Sequence, residues 1–257
     1  MDETYGRSYQ RLYEEHWWWR SREAAILGIL DGLRPPGGFG RILDVGCGNG
    51  LFFDRLSSFG EVEGVESSAE LLDPTGRHRA RIHVAPFDSR FQPGRRYGLV
   101  LMLDVLEHLP EPSAALRHAL ALLEPGGRIV ITVPAFPALW TTHDDLNHHF
   151  TRYTKGSFAR VAREAGLRID RSHYWYQWAF PVKLAVRVAE KLLGSKPSSP
   201  SIPPPPINRA LYRLSRAEQI LFARLPIPFG SSLLIIGGAE RSSPRPEGAA
   251  GAGPSER

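Results

Sequence analysis

The chain has 257 residues, 42% of them hydrophobic and 10% aromatic, which is enough for one large packed domain or a domain carrying a subdomain. Its 32 Lys and Arg against 27 acids leave a net charge of +5, but the bases are scattered, which favours a bland basic surface or contact with anionic lipid headgroups over a nucleic-acid module. The single cysteine, Cys47, excludes an internal disulfide and a multi-cysteine zinc site. The start, Met1-Asp2-Glu3, lacks an apolar stretch, and no run approaches the roughly 18 apolar residues that span a bilayer. A cytoplasmic protein is expected, at most peripheral on a membrane.

Residues 8–33 read as a helix, with Trp17, Trp18 and Trp19 near its middle, stopped by Pro35-Pro36-Gly37-Gly38. Strand-like and helix-like segments then alternate: strands at 41–45, 61–66, 81–85, 97–103 and 128–133, helices at 51–58, 113–123 and 155–165. The run 97–103 is continuously apolar, as in a strand buried on both faces. This alternation implies a mostly parallel sheet covered by helices. Beyond Tyr174 two amphipathic stretches, 177–193 and 208–225, flank a linker ending in Pro203-Pro204-Pro205-Pro206, which reads as stiff and extended. Strand character returns at 231–237, and the tail from Arg241 has a disordered composition. The expected organisation is a helical cover at 1–40, a core at 41–176 and 231–240, an insert at 177–230 and a tail at 241–257.

Gly46-Cys47-Gly48-Asn49-Gly50 lies between a strand and a helix, where glycine permits positive φ and a close ligand approach. Glu66 closes the next strand about 20 residues on, where an acid binds a ribose diol. A nicotinamide-binding loop would space its glycines G-x-G-x-x-G around a pyrophosphate; here the spacing is G-x-G-x-G and Asp44 precedes it. A carboxylate there repels a pyrophosphate and attracts a ligand bearing an ammonium and a sulfonium, so S-adenosylmethionine (SAM) is favoured.

The series Leu43-Asp44-Val45-Gly46-Cys47-Gly48, Gly64-Val65-Glu66, Leu103-Asp104-Val105-Leu106-Glu107-His108-Leu109 and Leu123-Glu124-Pro125-Gly126-Gly127 resembles class I SAM-dependent methyltransferases of the type-11/12 and ubiquinone-biosynthesis-like group. The resemblance implies an α/β, Rossmann-like fold with a seven-stranded, mostly parallel sheet whose last strand is antiparallel, plus a helical insert before that strand. It further implies that residues 44–50 flank the methionine moiety, that Glu66 binds the ribose, that Phe87 and Asp88 lie at the adenine and that Leu103 lines the pocket. In such enzymes an acid-x-x-acid-His cluster is associated with a divalent cation, which makes Asp104, Glu107 and His108 a secondary metal candidate. The alternative is that Glu107 and His108 only cap a helix; the ligand set is permissive but not selective, and no metal is expected.

Methyl transfer from a sulfonium is an in-line displacement, for which an oxygen nucleophile also needs a base. His108 is one candidate. The run from Thr141 to Thr154 holds the others: His143-Asp144, His148 and Arg152-Tyr153 resemble an H-D-x(4)-H-x-x-R-Y pattern of a subgroup of these enzymes. His143 or His148 would take the proton, Asp144 would orient it, and Arg152 would hold an anionic group. The plain alternative is a polar loop pinned by its own hydrogen bonds. Near the N-terminus, Tyr5, Trp18 and Arg20 are expected over the cofactor as a lid. In the insert, Lys183, Arg187, Glu190 and Lys191 oppose Val182, Ala185, Val186, Ala189 and Leu193, while Arg209, Arg213, Arg216 and Arg224 oppose Leu211, Tyr212, Leu214, Ile220, Leu221 and Phe222. Basic amphipathic helices suit a membrane interface, though ordinary surface helices share the pattern. Two functions are therefore carried: a methyltransferase acting on an oxygen or carbon of a small-molecule or lipid-linked acceptor, or an inactive SAM-fold binding or membrane-adaptor protein.

Overall fold

A computed structural model describes residues 10–193, 201–223 and 225–240. The expectations for Tyr5, Arg224, the first half of the linker and the tail from Arg241 lie outside the described residues, as does the side chain of Leu193. The elements in chain order are α1 (Trp17–Leu33), β1 (Arg41–Val45), α2 (Phe53–Leu56), β2 (Glu61–Glu66), β3 (Ile82–Val84), β4 (Tyr97–Leu103), α3 (Pro112–Ala121), β5 (Leu123–Pro134), α4 (Thr142–Leu146), α5 (Lys155–Ala165), β6 (Leu167–Trp175), α6 (Ala179–Leu193), α7 (Pro205–Leu221) and β7 (Ser232–Ala239).

The seven strands form one sheet in the order β3-β2-β1-β4-β5-β7-β6, with β7 antiparallel to both neighbours. All other pairs are parallel, so the carboxyl ends of β1, β4, β5 and β6 share one edge. Loops at that edge of an open parallel sheet bind ligands. Strand β4 shows why the core has two layers: Val100 and Met102 join the cluster on one face, Leu99 and Leu101 the cluster on the other, all fully buried. Truncating any of these to Ala costs about 2–5 kcal/mol.

Local chemistry accounts for most boundaries. Helix α5 begins at Thr154, whose side chain accepts from the Ser157 N–H, and ends at Gly166 with φ of 78°. Helix α1 starts where His16 Nδ1 accepts from the Trp18 N–H, so the single long helix expected from residue 8 is broken at His16. Two expectations fail at prolines and glycines. Strand β5 begins at Leu123 and carries Pro125-Gly126-Gly127 through an irregular register against β4 rather than stopping there. Pro205 and Pro206 occupy the first turn of α7 rather than the linker, because the first turn needs no N–H from them. No strand is expected at 167–175 from periodicity; β6 is held there as the edge partner of β7.

Candidate active site

The glycine loop leaves the carboxyl end of β1 with Gly46, Gly48 and Gly50 at φ of 70°, 51° and 69°. A Cβ on Gly46 would stand 2.9 Å from Val105 Cγ2, so this position needs glycine for both conformation and space. Glu66 braces the loop: its carboxylate accepts from the Gly48 N–H at 3.1 Å and the Ser68 N–H at 3.0 Å. Asp44 and Glu66 are both buried. Burial pushes the Asp44 carboxyl up to about 7, opposed by the positive charge of Arg22 and reinforced by Glu66. A cleft opens here, lined by Asp44, Gly46, Cys47 and Leu103 from the sheet edge. Phe87 and Asp88 are not among its walls. Phe87 stacks on Phe91 and His118, and exposed Asp88 is forked by Arg90, two residues on.

Helix α1 covers the cleft, but not with the residues expected. Trp19, Arg22, Glu23 and Ile26 line it, and these positions share one helical face. Trp18 is rotated off that face onto Tyr176, and Arg20 lies over the Tyr212 ring of α7, 4.9 Å from its centroid. Arg22, not Arg20, is therefore the arginine of α1 that lines the cleft. Arg22 bonds Asp104 at 2.7 Å and donates to Thr132 Oγ1 at 3.1 Å, and Thr132 donates to Asp104. This triad ties the cover to the ends of β4 and β5.

The histidine loop is arranged around Asp144, which is fully buried. Its carboxylate receives a two-pronged contact from Arg152 (2.8 and 2.9 Å), the Nδ1 of His149 (2.8 Å) and the Thr141 N–H (2.8 Å). Against the cost of burial, the hydrogen bonds from His149 and Arg152 hold this carboxyl far below its usual range. Three expectations change as a result. Arg152 is buried and committed to Asp144 and the Ala135 carbonyl, so it has no free face for a ligand. Tyr153 is a core residue whose hydroxyl donates to the Leu106 carbonyl. Asp144 orients His149, not His143 or His148; His143 instead faces the Asn147 amide, and His148 is exposed at φ of 53°.

The loop returns to the sheet edge where the Phe150 N–H donates to the Glu107 carbonyl at 2.7 Å. That bond sets the His149 and His108 rings edge-to-face, 4.6 Å apart. Burial, then the neighbouring His149, holds the His108 imidazole toward its neutral form. Three non-glycine residues with positive φ, Asp104, Phe136 and Tyr176, follow the ends of β4, β5 and β6. Each such conformation costs about 1–3 kcal/mol, and strain of this kind gathers at ligand sites.

A family model described as a methyltransferase domain matches residues 16–172. The chain belongs to that family. A ubiquinone biosynthesis O-methyltransferase of Xanthomonas euvesicatoria pv. vesicatoria is 28% identical over 178 residues, covering 60% of this chain and 74% of the relative. A SAM-dependent methyltransferase of Archaeoglobus fulgidus aligns over 92% of this chain and 99% of its own, at 16% identity and a TM-score of 0.56. A TehB-like SAM-dependent methyltransferase of Corynebacterium glutamicum aligns over 91% of this chain and all of its own, at 17% identity and a TM-score of 0.53. At such identities the structural likeness speaks for the fold: the class I methyltransferase sheet.

The methyltransferase's cofactor is SAM, and the cleft fits it chemically. Two buried acids and three positive-φ glycines meet where a cationic ligand needs charge and close backbone approach. The donors that could hold a divalent cation are a different set from the one expected. Glu107, His108 and His149 bring ligand atoms within 4.8 Å of one another, and Glu107 Oε2 is buried without a hydrogen-bond partner among the described residues. Asp104 is not part of this set, because Arg22 and Thr132 occupy its carboxylate. Arg22 and His149 are the residues that sequence reasoning missed. The helical spacing of 19, 22 and 26 carried the signal for the first; nothing local distinguished His149 from His148.

Proposed function

We propose that this SAM-dependent methyltransferase methylates an oxygen of a small, lipid-linked acceptor that it meets at an anionic membrane surface. The observation that carries the reading is the orientation of α6. A surface helix ordinarily buries its apolar stripe and shows its polar one. Helix α6 does the reverse. Arg187 donates to the Trp140 carbonyl, Glu190 accepts from Thr142, and Phe180 stacks on Phe136, so its polar face lies against the site loop. The opposite face is apolar and open: Val182, Val186, Val188 and Leu192 are 53, 48, 49 and 78% exposed. Helix α7 likewise turns Ile207, Leu214 and Leu221 outward and buries Asn208, Ser215 and Glu218. Exposed Lys191, Arg209 and Arg213 accompany these apolar stripes.

Apolar side chains with nearby basic groups match a monolayer whose headgroups are anionic. No described helix is long and apolar enough to cross a membrane, so contact would be from one side. The choice of oxygen follows the relatives, which are named as O-methyltransferases of ubiquinone biosynthesis. Bound SAM supplies the electrophilic methyl. In this reading the chain's own groups hold the rest: Asp44 attracts the cofactor's positive charge, Arg22 and Asp104 fix the cover, and an imidazole of the His108–His149 pair takes the hydroxyl proton.

The test has two parts. Calorimetry with S-adenosylhomocysteine is expected to show binding, and flotation is expected to recover the protein with phosphatidylglycerol vesicles and not with phosphatidylcholine alone. Val188→Glu with Leu192→Glu is expected to remain in the soluble fraction with S-adenosylhomocysteine affinity unchanged. Recovery of the native protein only in the soluble fraction overturns the membrane reading.

A further inference from the structure

One cation at the acceptor side is used by nothing described so far. Lys183 lies on the inward face of α6, one turn after Phe180 and one turn before Arg187. Those neighbours stand on Phe136 and on the Trp140 carbonyl, so Lys183 is held over the loop that leaves the carboxyl end of β5. It is half-buried, and among the described residues it has no hydrogen-bond or salt-bridge partner. Its electrostatic surroundings are Arg152, Asp144 and Asp104, and its charge is also felt at His143.

Asp144 is paired directly with Arg152, and Asp104 with Arg22. Lys183 joins neither pair, although both carboxylates favour its charge, and it sits where burial disfavours that charge. Burial, then the nearby Arg152 charge, pulls the ammonium down to about 8, so it remains a cation at neutral pH. A half-buried cation kept without a counter-ion is costly unless a ligand completes it. The exposed apolar face of the same helix supplies the context: α6 places an apolar surface outward and an ammonium inward within two turns.

The geometry points to Lys183 as a specificity-determining residue that binds an acidic group, a carboxylate or a phosphate, on the methyl acceptor. This rests on the reading of an amphiphilic acceptor at the sheet edge. The acceptor would then be an anionic amphiphile whose acid meets Lys183 while its apolar tail leaves along α6.

The probes are 4-hexylbenzoate, its neutral isostere 4-hexylbenzamide and 4-hexylphenyl phosphate, titrated calorimetrically at pH 7 into the S-adenosylhomocysteine complex. The native protein is expected to bind the benzoate or the phosphate at least about tenfold more tightly than the amide, a preference typical of one charge-assisted contact. Lys183→Gln is expected to abolish that preference while leaving the affinities for the amide and for S-adenosylhomocysteine unchanged, and Lys183→Arg to retain most of it. The tighter of the two anions identifies the acid. Equal binding of anion and amide by the native protein, or a preference that survives Lys183→Gln, overturns the assignment. If S-adenosylhomocysteine still binds, only the Lys183 assignment falls; if it does not bind either, the methyltransferase reading falls with it.

Discussion

The two halves of the site are built in opposite ways. The cofactor half is local: Asp44, the three glycines and Glu66 lie within two adjacent parallel strands and the turn between them. Its glycine loop presents backbone, held by one side chain, Glu66, under the side chains of α1. The acceptor half draws on β4, β5, the loop from Thr141 to Thr154 and α6, is joined to the cover helix α1 through Arg22 and Asp104, and is held by buried charge pairs. A site made of backbone tolerates little change in conformation. One made of charge pairs tolerates little change in partners.

The largest expected effect separates the halves by stability. Asp144→Ala leaves Arg152 buried without its counter-charge and is expected to cost about 3–5 kcal/mol in denaturant unfolding. The folded variant should still bind S-adenosylhomocysteine, since Asp144 is not among the residues lining the cofactor cleft. Equal loss of cofactor affinity would mean that the halves are one unit. Next, Gly46→Ala forces a side chain into φ of 70° and against Val105, at an expected cost of about 1–2 kcal/mol. Its larger signature should be a loss of S-adenosylhomocysteine affinity.

A third test uses pH. Because the Asp44 carboxyl is raised to about 7 in the folded chain, its contribution to apo stability is present below the ordinary carboxylate pKa and is lost as pH rises through 7. The ionised form is the one that attracts a cationic ligand. SAM affinity is therefore expected to rise roughly tenfold between about pH 6 and 8, as the ionised fraction does, with proton release on binding. Asp44→Asn should flatten that profile, weaken binding and stabilise the apo protein at pH 8. A native profile already flat across this range would remove Asp44 from the charge argument. The smallest effect on stability is expected from Val188→Glu, within about 0.5 kcal/mol. Its consequence should be confined to flotation with anionic vesicles.

Legibility in the sequence followed the same division. The β-α alternation, the buried run of β4 and the glycine loop after β1 could be read directly, because period, apolarity and glycine spacing are properties of neighbouring residues. Helix α5 matched to the residue, since a Thr cap and a terminal glycine mark both ends. Where several residues of one type stand together, local pattern does not separate them. Trp18 and Arg20 differ from Trp19 and Arg22, and His148 from His149, by a helix's rotation or by one backbone bond, such as that from Phe150 to Glu107.

What the sequence by itself determined is the cofactor loop and the kind of sheet that presents it, since short-range backbone demands fall on Asp44, Gly46, Gly48 and Gly50 wherever the rest of the chain goes. Only the tertiary structure decided which way the amphipathic α6 faces and which charges find partners. Amphipathicity specifies two faces but not which of them meets the protein. Here Phe180, Arg187 and Glu190 anchor the polar one, leaving the apolar one open and Lys183 on the inward face.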